Sequence, residues 1–283
     1  MEERGSAALY VVATPLGNLG DITVRALEVL RAVDAIAAED TRRTRGLLRH
    51  YGIAKPLLSL HEHNEREALQ RLIGRLAAGQ SVALVSDAGT PAVSDPGARA
   101  VAGVRAAGCR VVPVPGPNAA IAALSASGLG EPHFLFYGFL PARRAQRLEA
   151  LRGLAALPYA LVFHEAPHRI GETVEDLLQV FGESRRIVIA RELTKLFESI
   201  DEMPLGEAPR WLAADANRSR GEFVLLLAGA GARPAQPGDL DRVLRPLLGR
   251  LPLSQAVAAA GEITGAPRKA IYARALELRD AGR

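Results

Sequence analysis

The chain has 283 residues, 48% apolar and 23% charged, with a formal net charge of +4. That length and apolar content support one large domain or two ordinary ones, each with its own core, and exclude a disordered or fibrous chain. No apolar run approaches the roughly 18 residues of a membrane span, and the start Met1-Glu2-Glu3-Arg4 lacks a leader pattern, so a soluble cytoplasmic protein is expected.

Short runs rich in Val, Ile and Leu alternate with helical patterns from the start, as in parallel strands joined by crossover helices. Leu9 to Ala13, Ala35 to Ala38, Leu57 to Leu60, Val82 to Ser86 and Val111 to Val114 read as strands. Leu27, Leu30 and Val33 share one helix face, as do Leu69, Leu72, Ile73 and Leu76 of a later helix. An α/β domain over residues 1–129 follows. The lone Cys109 has no disulfide partner and reads as strand packing.

Phe134 to Phe139, with Pro141 behind it, reads as a strand leading into a hinge. Strands are then expected at Ala160 to Phe163, Ile187 to Ala190, Phe197 to Ile200 and Phe223 to Leu227, with amphipathic helices after Pro167 and near Pro209. Strands that succeed one another without long helices favour a mixed or antiparallel sheet, giving a second α/β domain over 130–229. The Gly- and Pro-rich stretch 229–238 reads as a linker. Beyond it Leu240 to Leu248, Ser254 to Thr264 and Ala266 to Leu278 read as three short helices, a module over 239–283. Residues 233–283 hold nine Arg or Lys against five Asp or Glu, and the rest of the chain holds 26 of each, so the whole charge excess sits in this tail. A basic module of that kind fits either a solvated surface or a phosphate-binding one, with Arg268, Lys269 and Arg274 near its last helix as the candidate cations.

No zinc spacing, no phosphate-binding Gly-x-x-x-x-Gly-Lys and no Gly-x-Ser-x-Gly elbow occurs, and no metal is expected. Three loops at strand ends stand out instead: Ala13 to Asp21, Ser86 to Gly97, and Pro113 to Ala120. Open α/β sheets bind ligands beyond the carboxyl ends of their strands, where small residues let backbone groups approach closely. Read singly, each of these loops is also compatible with an ordinary turn.

Nine ordered segments carry a resemblance that no single loop does. ATPLGNLGD, EDTRRTRGLL, HEHNE, SDAGTPAVSDPG, VPGPNAAIAAL with SGL, YGFLP, HEAPHR, RELTKLFE and GEFVLLLAG span Ala13 to Gly229. Together they resemble the tetrapyrrole methylase superfamily, and within it the branch that methylates the 2′-hydroxyl of a cytidine in 16S ribosomal RNA. The resemblance implies two α/β domains of the tetrapyrrole methylase type, with S-adenosyl-L-methionine in the cleft between them. It implies small-subunit ribosomal RNA, free or in the 30S particle, as substrate, and a homodimer. Carried over, the cofactor loops place Pro15, Ser86, Asp87, Ala88, Gly89, Thr90, Val93, Pro117, Asn118 and Ala119 at the cofactor, with Glu165 contributed by the second domain. The branch more often has Gly at Ala92, Tyr at His164, and Ser at Ala166 and Asn118; Ala92 and Ala166 bear on loop conformation, because alanine disfavours positive φ.

The resemblance names no base for the 2′-hydroxyl proton. By chemistry His61 and Glu62, a His and a carboxylate on the loop after a strand, come first, and Glu39 and Asp40 second. Arg42, Arg43, Arg169, Arg191 and Lys195 are candidate RNA contacts, each equally able to be an ion-pair partner. Two other readings stay open. A small-molecule methylase of the same superfamily would carry Gly-x-Gly-Pro-Gly-Asp in its first loop, which this chain does not; a non-catalytic assembly factor would have no need of three intact cofactor loops.

Overall fold

A computed structural model of the chain describes residues 7–61, 64–94, 97–231 and 237–280. The chain divides into two compact units, 1–229 and 230–283. The larger opens with β1 (Ala8–Val12), α1 (Val24–Ala32), β2 (Ala35–Ala38), α2 (Thr41–His50), β3 (Leu57–Ser59), α3 (Glu65–Ala77), β4 (Val82–Val85), α4 (Ala98–Ala106), β5 (Arg110–Val114) and α5 (Ala119–Ala126). The strands form one parallel sheet in the order β3-β2-β4-β1-β5. Every residue of β2 and β4 is buried, as strands covered by helices on both faces must be. One face packs on Leu30 and Leu48 of α1 and α2, the other on Leu72 and Val104 of α3 and α4. Because β4, β1 and β5 are neighbours, the three loops singled out in the sequence leave the same edge side by side.

The second half contributes β6 (Phe134–Phe139), α6 (Arg144–Leu154), β7 (Ala160–Glu165), α7 (Ile170–Phe181), β8 (Arg186–Arg191), β9 (Ser199–Pro204), α8 (Ala208–Ala213) and β10 (Phe223–Leu227). Its sheet runs β6-β7-β10-β8-β9, with only β6 and β7 parallel, so the mixed arrangement expected from the spacing is found. The strand expected over Phe197 to Ile200 lies further on, at β9. Residues 192–198 instead make a tight turn with Glu192 at φ +52° and Thr194 at φ +66°, which turns Leu196 and Phe197 into solvent. An apolar doublet at a loop tip imitates a strand in sequence. The segment after Pro141 holds the helix α6, whose Arg147 is fully buried against Asp176 of α7 at 2.7 Å.

Small residues join the two sheets. Ala120 and Ala123 of α5 pack on Val162, Val188 and Val224 of the second sheet, and only a short side chain allows that approach. A β-bulge in β6 puts Gly138 at φ +80°, where an added Cβ would lie 2.6 Å from Ser94 Oγ. Glycine is required there for both its dihedral and its size.

The smaller unit holds α9 (Pro237–Leu248), α10 (Leu253–Thr264) and α11 (Arg268–Asp280). Leu240, Leu244, Val257, Ala260, Ile271 and Ala275 close a core of its own. Arg274, a candidate phosphate contact by sequence, is committed inside this unit. It bonds Asp241 through Nε at 2.7 Å and Nη2 at 2.8 Å, and Glu277 through Nη1 at 2.5 Å, so its charge is neutralised before any ligand arrives.

Candidate active site

The three loops are stitched together by their backbones. Thr14 N–H donates to the Gly89 carbonyl at 2.8 Å and Gly89 N–H returns to the Thr14 carbonyl at 3.0 Å, a one-residue antiparallel bridge. Thr14 Oγ1 donates to the Ser86 carbonyl, and Thr90 Oγ1 donates to the Pro117 carbonyl at 3.0 Å. Asn118 caps α5, its Oδ1 accepting from Ile121 N–H at 3.1 Å, a task the branch's usual serine would perform equally well.

Above these loops lies a cavity of about 320 Å³ lined from both halves. The first supplies Leu16, Ala88, Gly89, Thr90, Val93, Ser94, Asn118 and Ala119; the second supplies Phe139, His164, Glu165, Ala166, Pro167, Leu193, Glu222, Phe223 and Val224. Seven of the expected cofactor residues therefore meet here. Pro15, Ser86 and Asp87 line a neighbouring cavity of about 370 Å³ with Thr14, Leu16, Gly17, Leu19, Arg43, Thr44, Gly46 and Leu47. Pro117 contributes its carbonyl to Thr90. The Glu165 carboxylate is buried and held from behind, accepting from Ala166 N–H at 2.8 Å and from Thr173 Oγ1 at 2.6 Å, which shapes the wall it stands in.

The second-half wall is what the sequence reading missed, apart from Glu165. HEAPHR and GEFVLLLAG contained His164 and Phe223, but alternation along a strand does not say which face meets another sheet. His164 sits edge-on between Phe136 and Phe139, with its Nε2 buried and without a hydrogen-bond partner in the protein. Apolar walls, a few polar edges and one orphaned nitrogen suit a nucleoside-bearing cofactor such as S-adenosyl-L-methionine, whose adenine needs such a slot. Burial lowers the His164 pKa below its ordinary 6.5, against a smaller opposing pull from Glu222. The imidazole is thus neutral at pH 7. On acidification below 6.5 the unfolded chain takes up this proton before the folded one, so stability falls until the folded value is reached. His164→Gln is expected to shrink that acid-side loss in urea titrations at pH 7 and pH 5.5; an unchanged difference between the two would disprove it.

Residues 8–209 match the family model of tetrapyrrole (corrin/porphyrin) methylases, and residues 234–279 that of the RsmI C-terminal HTH domain. Ribosomal RNA small subunit methyltransferase I of Escherichia coli O157:H7 is 50% identical over 97% of this chain and 96% of its own. The Pseudomonas aeruginosa protein of that name is 51% identical over 96% and 98%. This chain belongs to the ribosomal RNA small subunit methyltransferase I family. Solved structures of more distant relatives share the fold. Cobalt precorrin-4 methyltransferase aligns with a TM-score of 0.61 at 19% identity over 78% of this chain and 94% of that one. A Thermus thermophilus uroporphyrin-III C-methyltransferase complexed with S-adenosyl homocysteine aligns at 0.57 and 18% identity, over 79% and 97%.

One departure from the family wording has a visible cost. Ala92 adopts φ +67°, the left-handed conformation the family's usual glycine enters freely. The base candidates are scattered. His61 follows the edge strand β3, its N–H held by Asn64 Oδ1 at 2.9 Å; Glu39 and Asp40 follow β2; Glu62 lies outside the described residues. None of the three described groups lines either cavity. Asp40 caps α2, and the Arg42 guanidinium and N–H hold its carboxyl far below the usual carboxylate range, which makes it a weak proton acceptor.

The basic residues sort by what already holds them. Arg42 and Arg43 are exposed, paired with Asp40 and, at 3.4 Å, with Asp87. Arg169 is turned inward, donating to the Leu140 carbonyl at 2.8 Å beside Glu165, and Arg191 donates to the carbonyls of Asn217 and Arg220. Lys195 lays its stem over Gly17 and bonds Glu192 and Glu222 at 2.7 and 3.0 Å. Burial alone would lower its pKa, but the two carboxylates outweigh that and raise it. Arg268 and Lys269 are exposed in the first turn of α11. Among the described residues no helix is long and apolar enough to cross a membrane, and no group of His, Cys, Asp and Glu is arranged to hold a metal ion.

Proposed function

We propose that this chain transfers the methyl group of S-adenosyl-L-methionine to the 2′-hydroxyl of a cytidine ribose in 16S ribosomal RNA. The observation that carries the reading is the cavity where the loops after β4, β1 and β5 meet the second sheet, in a chain of this family. Gly89, Thr90, Val93, Asn118 and Ala119 would hold the cofactor from below, and His164 and Val224 from above. Once bound, the cofactor supplies an electrophilic methyl carbon. The protein's part is to fix the hydroxyl behind that carbon and to exclude water, since orientation removes much of the entropy of a bimolecular encounter. His61 and Glu39 line neither cavity and would take the hydroxyl proton by way of water, Asp40 being already neutralised by Arg42. Labelled methyl transfer to small-subunit particles, followed by mapping of the modified nucleoside, tests the whole reading. Label recovered in a base, or none in the particle, would refute it.

The substrate is proposed to be small-subunit ribosomal RNA, free or in the 30S particle, in the cytoplasm, and the working form a homodimer. Leu196, 90% exposed, and the neighbouring Phe197 and Ile200 at the edge strand β9 leave apolar surface of the kind a second copy would cover. Light scattering behind size exclusion reads the dimer directly. The unit 230–283 is proposed as an RNA-docking module, on its charge excess and its helix-turn-helix match. Because it closes its own core, deleting it is expected to leave cofactor affinity within about twofold. RNA binding should weaken and its salt slope flatten. Unchanged RNA affinity in a folded truncation would end that assignment.

A further inference from the structure

The second cavity, of about 370 Å³, falls within the roughly 300–1,000 Å³ of small-molecule sites. It shares Leu16 with the cofactor cavity, and its Ser86-Asp87 wall continues directly into the Ala88-Gly89 wall of the other. Leu16 and Leu47 give it apolar walls, and two charged groups face each other in it. Asp87 Oδ1 is fixed by Asp40 N–H at 3.0 Å, while Asp87 Oδ2 stands 3.4 Å from Arg43 Nη1. That gap exceeds the roughly 2.7–2.9 Å of a formed charge-assisted bond. The pair is oriented but not closed.

We infer that this cavity receives the target base turned out of the RNA, and that Asp87 and Arg43 read it as cytosine. The inference rests on the proposed function. A carboxylate beside a guanidinium is an acceptor next to donors. Cytosine offers the complement along one edge: its N4 amine donates, and its N3 and O2 accept. Uracil puts an oxygen where the amine should be and an N–H where Arg43 needs an acceptor, so both contacts turn repulsive or unpaired. A phosphate is disfavoured by the same carboxylate. Enzymes that do chemistry on a base extrude it and read its pairing edge in a pocket, and the same extrusion here would bring the attached ribose beside the cavity that holds the methyl donor.

Two tests separate this assignment from the reading beneath it. First, particles carrying cytidine or uridine at the mapped position are compared with the unaltered protein and with Asp87→Asn, which keeps an oxygen for Asp40 N–H. The unaltered protein should prefer cytidine about tenfold or more, and Asp87→Asn should narrow that ratio several-fold. Second, Gly46 lines the cavity, and a Cβ added there meets no atom within 4 Å. Gly46→Leu should therefore fold and fill the cavity. Its cofactor affinity by calorimetry should stay within about twofold while methyl transfer to the particle falls at least tenfold. A Gly46→Leu protein that methylates at the unaltered rate, or a cytidine preference untouched by Asp87→Asn, overturns the assignment. No transfer to cytidine particles by the unaltered protein would remove the proposed function itself.

Discussion

Arg147→Met is expected to lower the unfolding free energy by about 3 kcal/mol, the low end of the range for breaking a buried ion pair. Arg147 is among the largest fully buried side chains of the described residues, bonded through Nε to Asp176 Oδ2 at 2.7 Å, through Nη1 to the Ala142 carbonyl and through Nη2 to Glu172. Removing it leaves the Asp176 carboxylate in the core with only Arg144, itself largely exposed, at 2.8 Å. Arg144 is why the low end is expected. Replacing both partners, Arg147→Met with Asp176→Leu, removes the stranded charge and should recover most of the loss. Urea denaturation of the three proteins reads this. A single variant within about 1 kcal/mol of the parent would show that water already reaches the pair.

Gly89→Val should weaken S-adenosyl-L-methionine binding more than tenfold, about 1.4 kcal/mol or more, and should also destabilise the fold by about 1–3 kcal/mol. From sequence alone the expectation is loss of binding before loss of folding. The structure changes the balance. Gly89 holds φ +78°, which a branched residue adopts at a penalty whatever space is available, and an added Cβ would press on Leu16 Cδ2 at 3.2 Å. The same residue carries the bridge to Thr14, so a strained Gly89 loosens two loops together. Calorimetry with the cofactor and thermal melts without it separate the effects. Full affinity with a lowered melting point would assign Gly89 to folding alone.

The strands and the helical unit were readable because each follows from local pattern, whereas the convergence of three loops came from the family resemblance, since strand order is not local. Buried parallel strands are continuously apolar, and loops from neighbouring strands must meet. Four things were not. Arg147 lies among Arg143, Arg144, Gln146 and Glu149, which in sequence is a solvated helix face; its burial depends on Asp176, 29 residues away. Leu196 and Phe197 read as strand because nothing local reports the positive φ of Glu192 and Thr194. The division of one expected cofactor site into two cavities turns on which way single side chains face, so Asp87 parts from Ala88 although they are adjacent. Arg169 and Arg191 were grouped as RNA contacts by type, whereas their partners are carbonyls and a carboxylate that only the fold brings near.

The position of β10 has a consequence for synthesis. It is the last strand of the second sheet to leave the ribosome, yet it lies between β7 and β8 and supplies Val224 to the cofactor cavity. Until residues 223–227 emerge, β7 and β8 have no common neighbour, and each presents an unpaired edge of apolar residues open to wrong pairing with other chains. A message cut before Phe223 should therefore yield aggregating chains that never retain the methyl donor. One cut after Gly229 should yield a particle that does, which makes these few codons the point at which a nascent chain becomes competent.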